Sequence, residues 1–312
     1  MNFWREFSAC LDLALESQEV WQEKQTNLPG VRVEKENLEL AQLTTVYVET
    51  EEAGQALGKK PGKYLTLEAP LLKSNNPPQQ KALTRLLGQK LRENFPLPPQ
   101  TSVLIVGLGN WKATPDALGP KVVHRTMVTR HLFSYAPKEL LQGMRSVCAV
   151  APGVLGLTGL ETWEIVQGIV QNIQPDLIIA IDSLTARHPE RIATAIQITD
   201  SGINPGSGVG NQQKALNQET LGIPVLALGV PTVLNAAIIA REALQQGEKW
   251  QNISLPQEDI IQKVFASWGG QLIVTPKEID ELINRTAQVI AGALTQMLHP
   301  NLQEEDYLWF LN

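Results

Sequence analysis

Short, almost unbroken apolar runs recur through the last two thirds of the chain: Ser102–Gly107, Ser146–Ala149, Leu177–Ile181, Ala195–Ile198, Val225–Gly229 and Leu272–Val274. A strand that is apolar at consecutive positions must be covered on both faces. Helical patterns lie between several of these runs, at about Asp116–Arg130, Glu161–Asn172 and Thr232–Gln246. A long last helix is expected from about Lys277 to Leu298, opened by Thr275-Pro276. Strands alternating with helices predict an α/β fold: a doubly wound, mostly parallel sheet with helices on both faces.

The first third reads differently. Residues up to Leu28-Pro29-Gly30 look helical and amphipathic. "NLELAQLTTVYVET" and "KYLTLEAP" carry β-type residues on either side of a turn-rich "GKKPGK". They predict a β-rich edge extension near residues 37–69. "SNNPPQQ" is a break, followed by a helix at about Gln79–Glu93 that the cluster Pro96, Pro98, Pro99 stops. A chain of 312 residues is ample for one sizeable core.

Composition removes several classes of function. The net charge is −6 and no basic stripe appears, so a nucleic-acid surface is not expected. Cys10 and Cys148 are the two cysteines and have no CxxC spacing, which fits neither a disulfide framework nor a structural zinc site. "MNFWREFSACLDLALES" lacks the basic and apolar regions of a secretory signal. No run approaches the roughly 18 apolar residues of a membrane span. These features predict a soluble cytoplasmic protein.

The chemistry concentrates in "VLIVGLGNWKATPDALGP", Val103 to Pro120. A strand followed by Gly107-x-Gly109 begins like a dinucleotide fingerprint. However, Lys112 stands where the third glycine belongs, and Pro115 delays the helix. "NPGSGVGN", Asn204–Asn211, lacks the Lys-Ser/Thr of a P-loop. It is not a nucleophile elbow either, because position 205 is Pro. His124, His131, His188 and His299 form no HExxH; the first two share one predicted helix face, and Cys148 reads as a core thiol. Two carboxylates remain. Asp182 stands at the expected end of the strand in "DLIIAID", and Asp116 hangs from the loop after the Ser102–Gly107 strand. Carboxyl ends of strands border the ligand crevice of an open α/β sheet. Two carboxylates there could share one proton and activate water. Structural roles stay open at this point. Thr114-Pro115-Asp116 also reads as the start of a helix, and Asp182-Ser183 as a turn cap.

"GLGNWKATPDALGPKVV", "VTRHLF", "APGVLGLTGLET", "IAIDSLTAR", "PGSGVGN", "GVPTV" and "VTPKEIDELI" together resemble the germination protease family, in order from about Leu13 to His299. The resemblance implies a fold similar to hydrogenase maturation proteases. It also implies an endopeptidase that degrades small acid-soluble spore proteins, acting in the cytoplasm of the forespore and spore core. It further implies an aspartic-type mechanism with two essential aspartates, Asp116 and Asp182 here, and no metal or other cofactor. Backbone N–H groups of "PGSGVGN" or "APGVLGLTG" would stabilise the oxyanion.

The same resemblance implies a homotetrameric zymogen that processes itself. Residues 1–12 would be a propeptide and 13–312 a single α/β peptidase domain. Family substrates are cut after an acidic residue, before a hydrophobic one and then Ala. Asp12, Leu13 and Ala14 supply that order, placing the cut between Asp12 and Leu13; Glu6, Phe7 and Ser8 match less well. Where the family usually has Arg-Thr-Asp-Leu-Ala, this chain has Cys10-Leu11-Asp12-Leu13-Ala14. Arg187 and Lys112, which flank the two aspartates, are the expected readers of the acidic side chain. Two other readings stand beside this one. One is a metal-dependent maturation-type protease, with His188 six residues after Asp182. The other is a nucleotide-binding α/β module.

Overall fold

A computed structural model of the chain describes residues 11–24, 28–206, 213–251, 256–265 and 272–302. In chain order the elements used below begin with α1 (Ala14–Lys24), β1 (Val31–Asn37), β2 (Gln42–Val48), α2 (Glu51–Leu57), β3 (Gly62–Glu68) and α3 (Pro77–Asn94). Next come β4 (Val103–Gly107), α4 (Leu118–Arg125), β5 (Val147–Val150), α5 (Thr162–Ile173), β6 (Leu177–Ala186) and β7 (Ala195–Thr199). The chain closes with β8 (Val225–Asn235), α6 (Ala236–Gln251), α7 (Gln257–Phe265), β9 (Ile273–Val274) and α8 (Ile279–Leu298).

One sheet takes in every strand, in the order β1-β2-β3-β7-β8-β6-β4-β5, with β9 paired to β8. The run β5-β4-β6-β8 is parallel and is the wound α/β core. β7, β3, β2 and β1 continue it antiparallel, so the sheet as a whole is mixed. The reason lies in the link 187–194, which holds only a single 3-10 turn. A parallel return needs a crossover of about a dozen residues, so β7 runs against β8. The β-rich extension takes the expected edge position. Its outermost strand, β1 ("VRVEKEN"), was not expected, because its charges hide the alternation. Such charges suit an edge open to water.

Alternation along the central strands divides the core into two layers. Val103, Ile105, Leu177, Ile179 and Ile181 face the layer formed with α3, α4 and α8. Leu104, Val106, Ile178 and Ala180 face Val166 and Val170 of α5. Helices therefore cover both faces.

Four boundaries differ from the sequence expectation. β6 runs on past Asp182 to Ala186, and β8 past Gly229 to Asn235, because β6 and β8 stay paired through Leu234. The helix expected from Thr232 therefore begins only at Ala236, where the Asn235 side chain accepts the Ala237 N–H at 2.8 Å. α4 stops at Arg125, five residues early, since Thr129 turns away to bond Val147 O and Arg145 O. His124 and His131 thus do not share a helix.

The end of α8 is tied down by Arg145, which is 7% exposed. Its guanidinium donates to Leu298 O (2.8 Å), Met297 O, Leu97 O and Pro98 O. Its backbone N–H donates to His299 Nδ1, and burial beside the Arg145 charge holds that imidazole down at about 4. Arg145→Ala orphans these carbonyls. It should lower the free energy of unfolding by about 1–3 kcal/mol, measured by urea titration.

Candidate active site

The site begins where β4 stops. Its last ladder partner is Ile181, and Leu108 N–H still bonds Ile181 O at 2.8 Å. There Gly107 meets the start of α4 backbone to backbone: a Cβ on Gly107 would lie 2.2 Å from Gly119 O, and one on Gly119 2.3 Å from Leu108 O. Gly109 has φ +111, which an L side chain rarely adopts, and a Cβ there would lie 2.0 Å from Asp116 O. The chain then folds back on itself. Asn110 N–H is shared between Asp116 O (3.0 Å) and Asp116 Oδ2 (2.8 Å). The two glycines therefore close a loop around one carboxylate. Asp116 does not cap α4: the residue preceding that helix is Ala117, with no side-chain cap.

Asp182 lies on β6 opposite Gly229 of β8, one residue beyond the reach of β4. It is 8% exposed and accepts the Ser183 N–H at 2.8 Å. Burial pushes its carboxyl well above the usual range, and the nearby carboxylates of Asp116 and then Asp12 push it the same way. Asp116 is also raised by burial, but the Asn110 N–H works against that shift. Both aspartates border a cavity of about 600 Å³, together with Asp12, Lys59, Gln197 and Gly206.

The N-terminal segment enters this cavity. Beyond Ile181, β6 has lost its β4 neighbour, and N–H groups at alternate residues point to one side of a strand. Those of Ser183, Thr185 and Arg187 are taken by carboxylates. Ser183 bonds Asp182, Thr185 N–H donates to Asp12 Oδ2 at 2.7 Å, and Arg187 N–H donates to Glu16 Oε2 at 2.8 Å. Glu16 also accepts from His188 N–H and pairs with Arg191. Leu13, 0% exposed, packs with Leu184 and Ala195. Ala14 sits among Val46, Val48, Ala53, Leu57 and Tyr64.

Known proteins match this chain along nearly its whole length. The family model described as germination protease covers residues 9–249 and 254–310. The germination protease of Caldanaerobacter subterraneus subsp. tengcongensis is 42% identical over 311 residues, 95% of each chain. The chain belongs to the germination protease family. The Clostridium perfringens germination protease is 41% identical, covering 96% of this chain and 98% of its own. That of Priestia megaterium is 37% identical, covering 97% and 96%. A solved hydrogenase maturation protease, HycI from Thermococcus kodakarensis KOD1, aligns with 66% of this chain and 99% of its own at 20% identity and a TM-score of 0.35. The protein is thus a protease of a spore-germination family, and no helix among the described residues is long and apolar enough to cross a membrane.

Asp116, Asp182 and Asp12 come together at one cavity, whereas Lys112, Arg187 and His188 lie elsewhere. Lys112 is exposed on the loop. The Arg187 guanidinium pairs with Glu23 at 2.9 Å, not with Asp12. His188 faces Glu19, Glu190 and Glu242 at 3.6–3.9 Å, away from the aspartates. Among the described residues no group of three or more His, Cys, Asp or Glu has the geometry to hold a metal. Val154, Leu155 and Gly156 of "APGVLGLTG" line the cavity, as do Pro205 and Gly206. The rest of "PGSGVGN", residues 207–211, lies outside the described residues, as do Glu6–Ser8 and Cys10.

Three contact residues went unnoticed in the sequence: Thr185, Lys59 and Gln197. A backbone N–H leaves no trace in residue type, so Thr185 could not be found. Lys59 follows Gly58, whose φ of 65 ends α2 with its N–H on Gln55 O and Gly54 O. Gln197 was visible as the one polar residue in "AIQI".

The raised Asp182 carboxyl has a consequence for stability. Below about pH 4 both folded and unfolded states hold the proton, and burial carries no ionic penalty. As pH rises, the unfolded state ionises first, and the fold loses stability until the folded group ionises too. Asp182→Asn should therefore melt higher than the parent at pH 7, with the gain shrinking toward zero near pH 4 in calorimetric scans.

Proposed function

We propose that this chain is an endopeptidase that degrades small acid-soluble spore proteins, cutting after Glu or Asp, before a hydrophobic residue and then Ala. It works by an aspartic-type mechanism. Asp116, the less buried of the pair and bonded by the Asn110 N–H, is the ionised base that takes a proton from water. Asp182, deeply buried beside that charge, holds the shared proton and gives it to the leaving amine. The spore-protein substrates, the homotetramer and the spore-core cytoplasm follow from the family resemblance.

The observation that carries the reading is the chain's own Asp12 lining the cavity of the two aspartates, with Leu13 and Ala14 buried in the adjoining apolar clusters. Acid, apolar residue and alanine each meet a matching surface. Thr185 N–H takes the acid, Leu184 and Ala195 take the leucine, and a small apolar pocket takes the alanine. The chain is then a zymogen, with residues 1–12 as propeptide and the bond between Asp12 and Leu13 as its cut. The acid is read by a main-chain donor, and neither Arg187 nor Lys112 is required for that contact.

Two measurements test this. Asp116→Asn and Asp182→Asn should each abolish cleavage of a small acid-soluble spore protein and of the chain's own N-terminus, followed by mass spectrometry. The double variant should look no worse than either single one, because groups that act as a unit do not add. A folded Asp182→Asn protein with near-parent turnover would overturn the mechanism. In the second, the parent should cut peptides after Glu or Asp at rates lost when Gln replaces that acid; equal rates on the Gln peptide would rule out the acid-reading role.

A further inference from the structure

The carbonyl of Asp12 is held by two side chains that no motif singles out. Lys59 Nζ donates to Asp12 O at 2.8 Å and to Leu11 O at 2.6 Å. Gln197 Nε2 donates to the same Asp12 O at 3.1 Å, while its Oε1 accepts the Ala14 N–H at 2.7 Å. One amide thus spans the Asp12–Leu13 bond, taking the acceptor on one side and the donor on the other. Its own position is fixed, since Gln197 lies inside β7 between Thr66 of β3 and Gly229 of β8. Lys59 is fixed by the αL turn at Gly58 and by its N–H on Gly54 O at 2.9 Å.

We propose that Lys59 is a catalytic residue that stabilises the oxyanion formed at the carbonyl before the cut, and that Gln197 is the clamp that holds the scissile peptide in register for it. This rests on the two-aspartate reading of the site. In the step, water adds to the Asp12 carbonyl carbon and gives its proton to the ionised aspartate. Negative charge collects on Asp12 O, where Lys59 Nζ and the Gln197 amide already donate; burial pushes the Lys59 ammonium's pKa down, and the Asp12 and Glu16 carboxylates work against that shift. The C–N bond then breaks, the protonated aspartate gives its proton to Leu13 N, and the new α-carboxyl group of Asp12 passes its proton to the Leu13 amine, leaving a carboxylate and an ammonium while the aspartate pair again holds one proton. A cation on the oxygen where charge develops favours the transition state over the neutral peptide. This leaves the protonated aspartate for the leaving amine.

The test uses the full chain. Self-cutting at Asp12–Leu13 is timed by intact mass, and docking of the segment is read from hydrogen exchange of the Leu13–Ser17 amides. Lys59→Met should slow the cut by about 100-fold or more, the usual cost of losing one oxyanion donor, with exchange protection kept. Lys59→Arg should recover part of the rate. Gln197→Met should lose protection and rate together. Lys59→Met cutting within threefold of the parent overturns the proposal, and so does a rate that falls only in proportion to lost protection, since Lys59 would then be an anchor. A Gln197→Met protein with both unchanged overturns the clamp. Asp182→Asn is run alongside. If it still cuts, the two-aspartate reading fails. If it is silent while Lys59→Met is parent-like, only the Lys59 assignment fails. A parent chain that never cuts at Asp12–Leu13 overturns both.

Discussion

β4 ends five residues before β6 does, as their register shows: Gly107 pairs with Ile181, while β6 continues to Ala186. That difference in length leaves a strand edge inside the protein with its N–H donors unpaired by any neighbouring strand. Buried donors must be satisfied. Three carboxylates satisfy them, from Asp182 itself, Asp12 and Glu16. The aspartate pair, the docked N-terminal segment and the cavity all lie along this one edge. The tight backbone packing of Gly107 against Gly119 is what allows β4 to turn away so sharply.

The two aspartates differ because the fold surrounds them differently. Asp116 hangs on a loop closed by Gly109 and keeps a backbone donor. Asp182 sits in the sheet interior, where desolvation dominates, and the charge of Asp116 adds to it. Carboxylates placed in unequal surroundings separate into a proton holder and a proton acceptor. Nothing more than strand position and one loop is needed to create that asymmetry.

How much of this was legible in the residues depended on whether a feature lived in side-chain type. The apolar runs located nearly every central strand, since burial on both faces demands consecutive apolar residues. Asp116 and Asp182 were visible because a carboxylate at a strand's carboxyl end is chemically conspicuous. "TVLN", Thr232–Asn235, reads as a helix start in the sequence, but pairing with β6 and β9, a tertiary matter, makes it strand. β1 was hidden by its charges. A sequence offers only side chains, here the cations Arg187 and Lys112, as readers of an acid, whereas the proposed reading gives that contact to the Thr185 N–H. The Arg187 backbone N–H serves Glu16 while its guanidinium serves Glu23.

Under the proposed reading, the docked segment also sets an order of events. Leu13 and Ala14 are fully buried, and Glu16 is locked by two N–H groups and Arg191. A substrate of acid, apolar residue and alanine needs the same three surfaces. The chain's own N-terminus therefore competes with substrate before the cut and continues to do so after it, since the cut removes Asp12 but not Leu13 or Ala14. What changes is tethering. Before the cut, Asp12 contributes the Thr185, Lys59 and Gln197 contacts on the near side of the bond. Afterwards the new terminus keeps only the far-side contacts, the Leu13 side chain with Leu184 and Ala195 and the Ala14 N–H on Gln197. The chemistry of the cut thus weakens the hold of the segment that blocks the site.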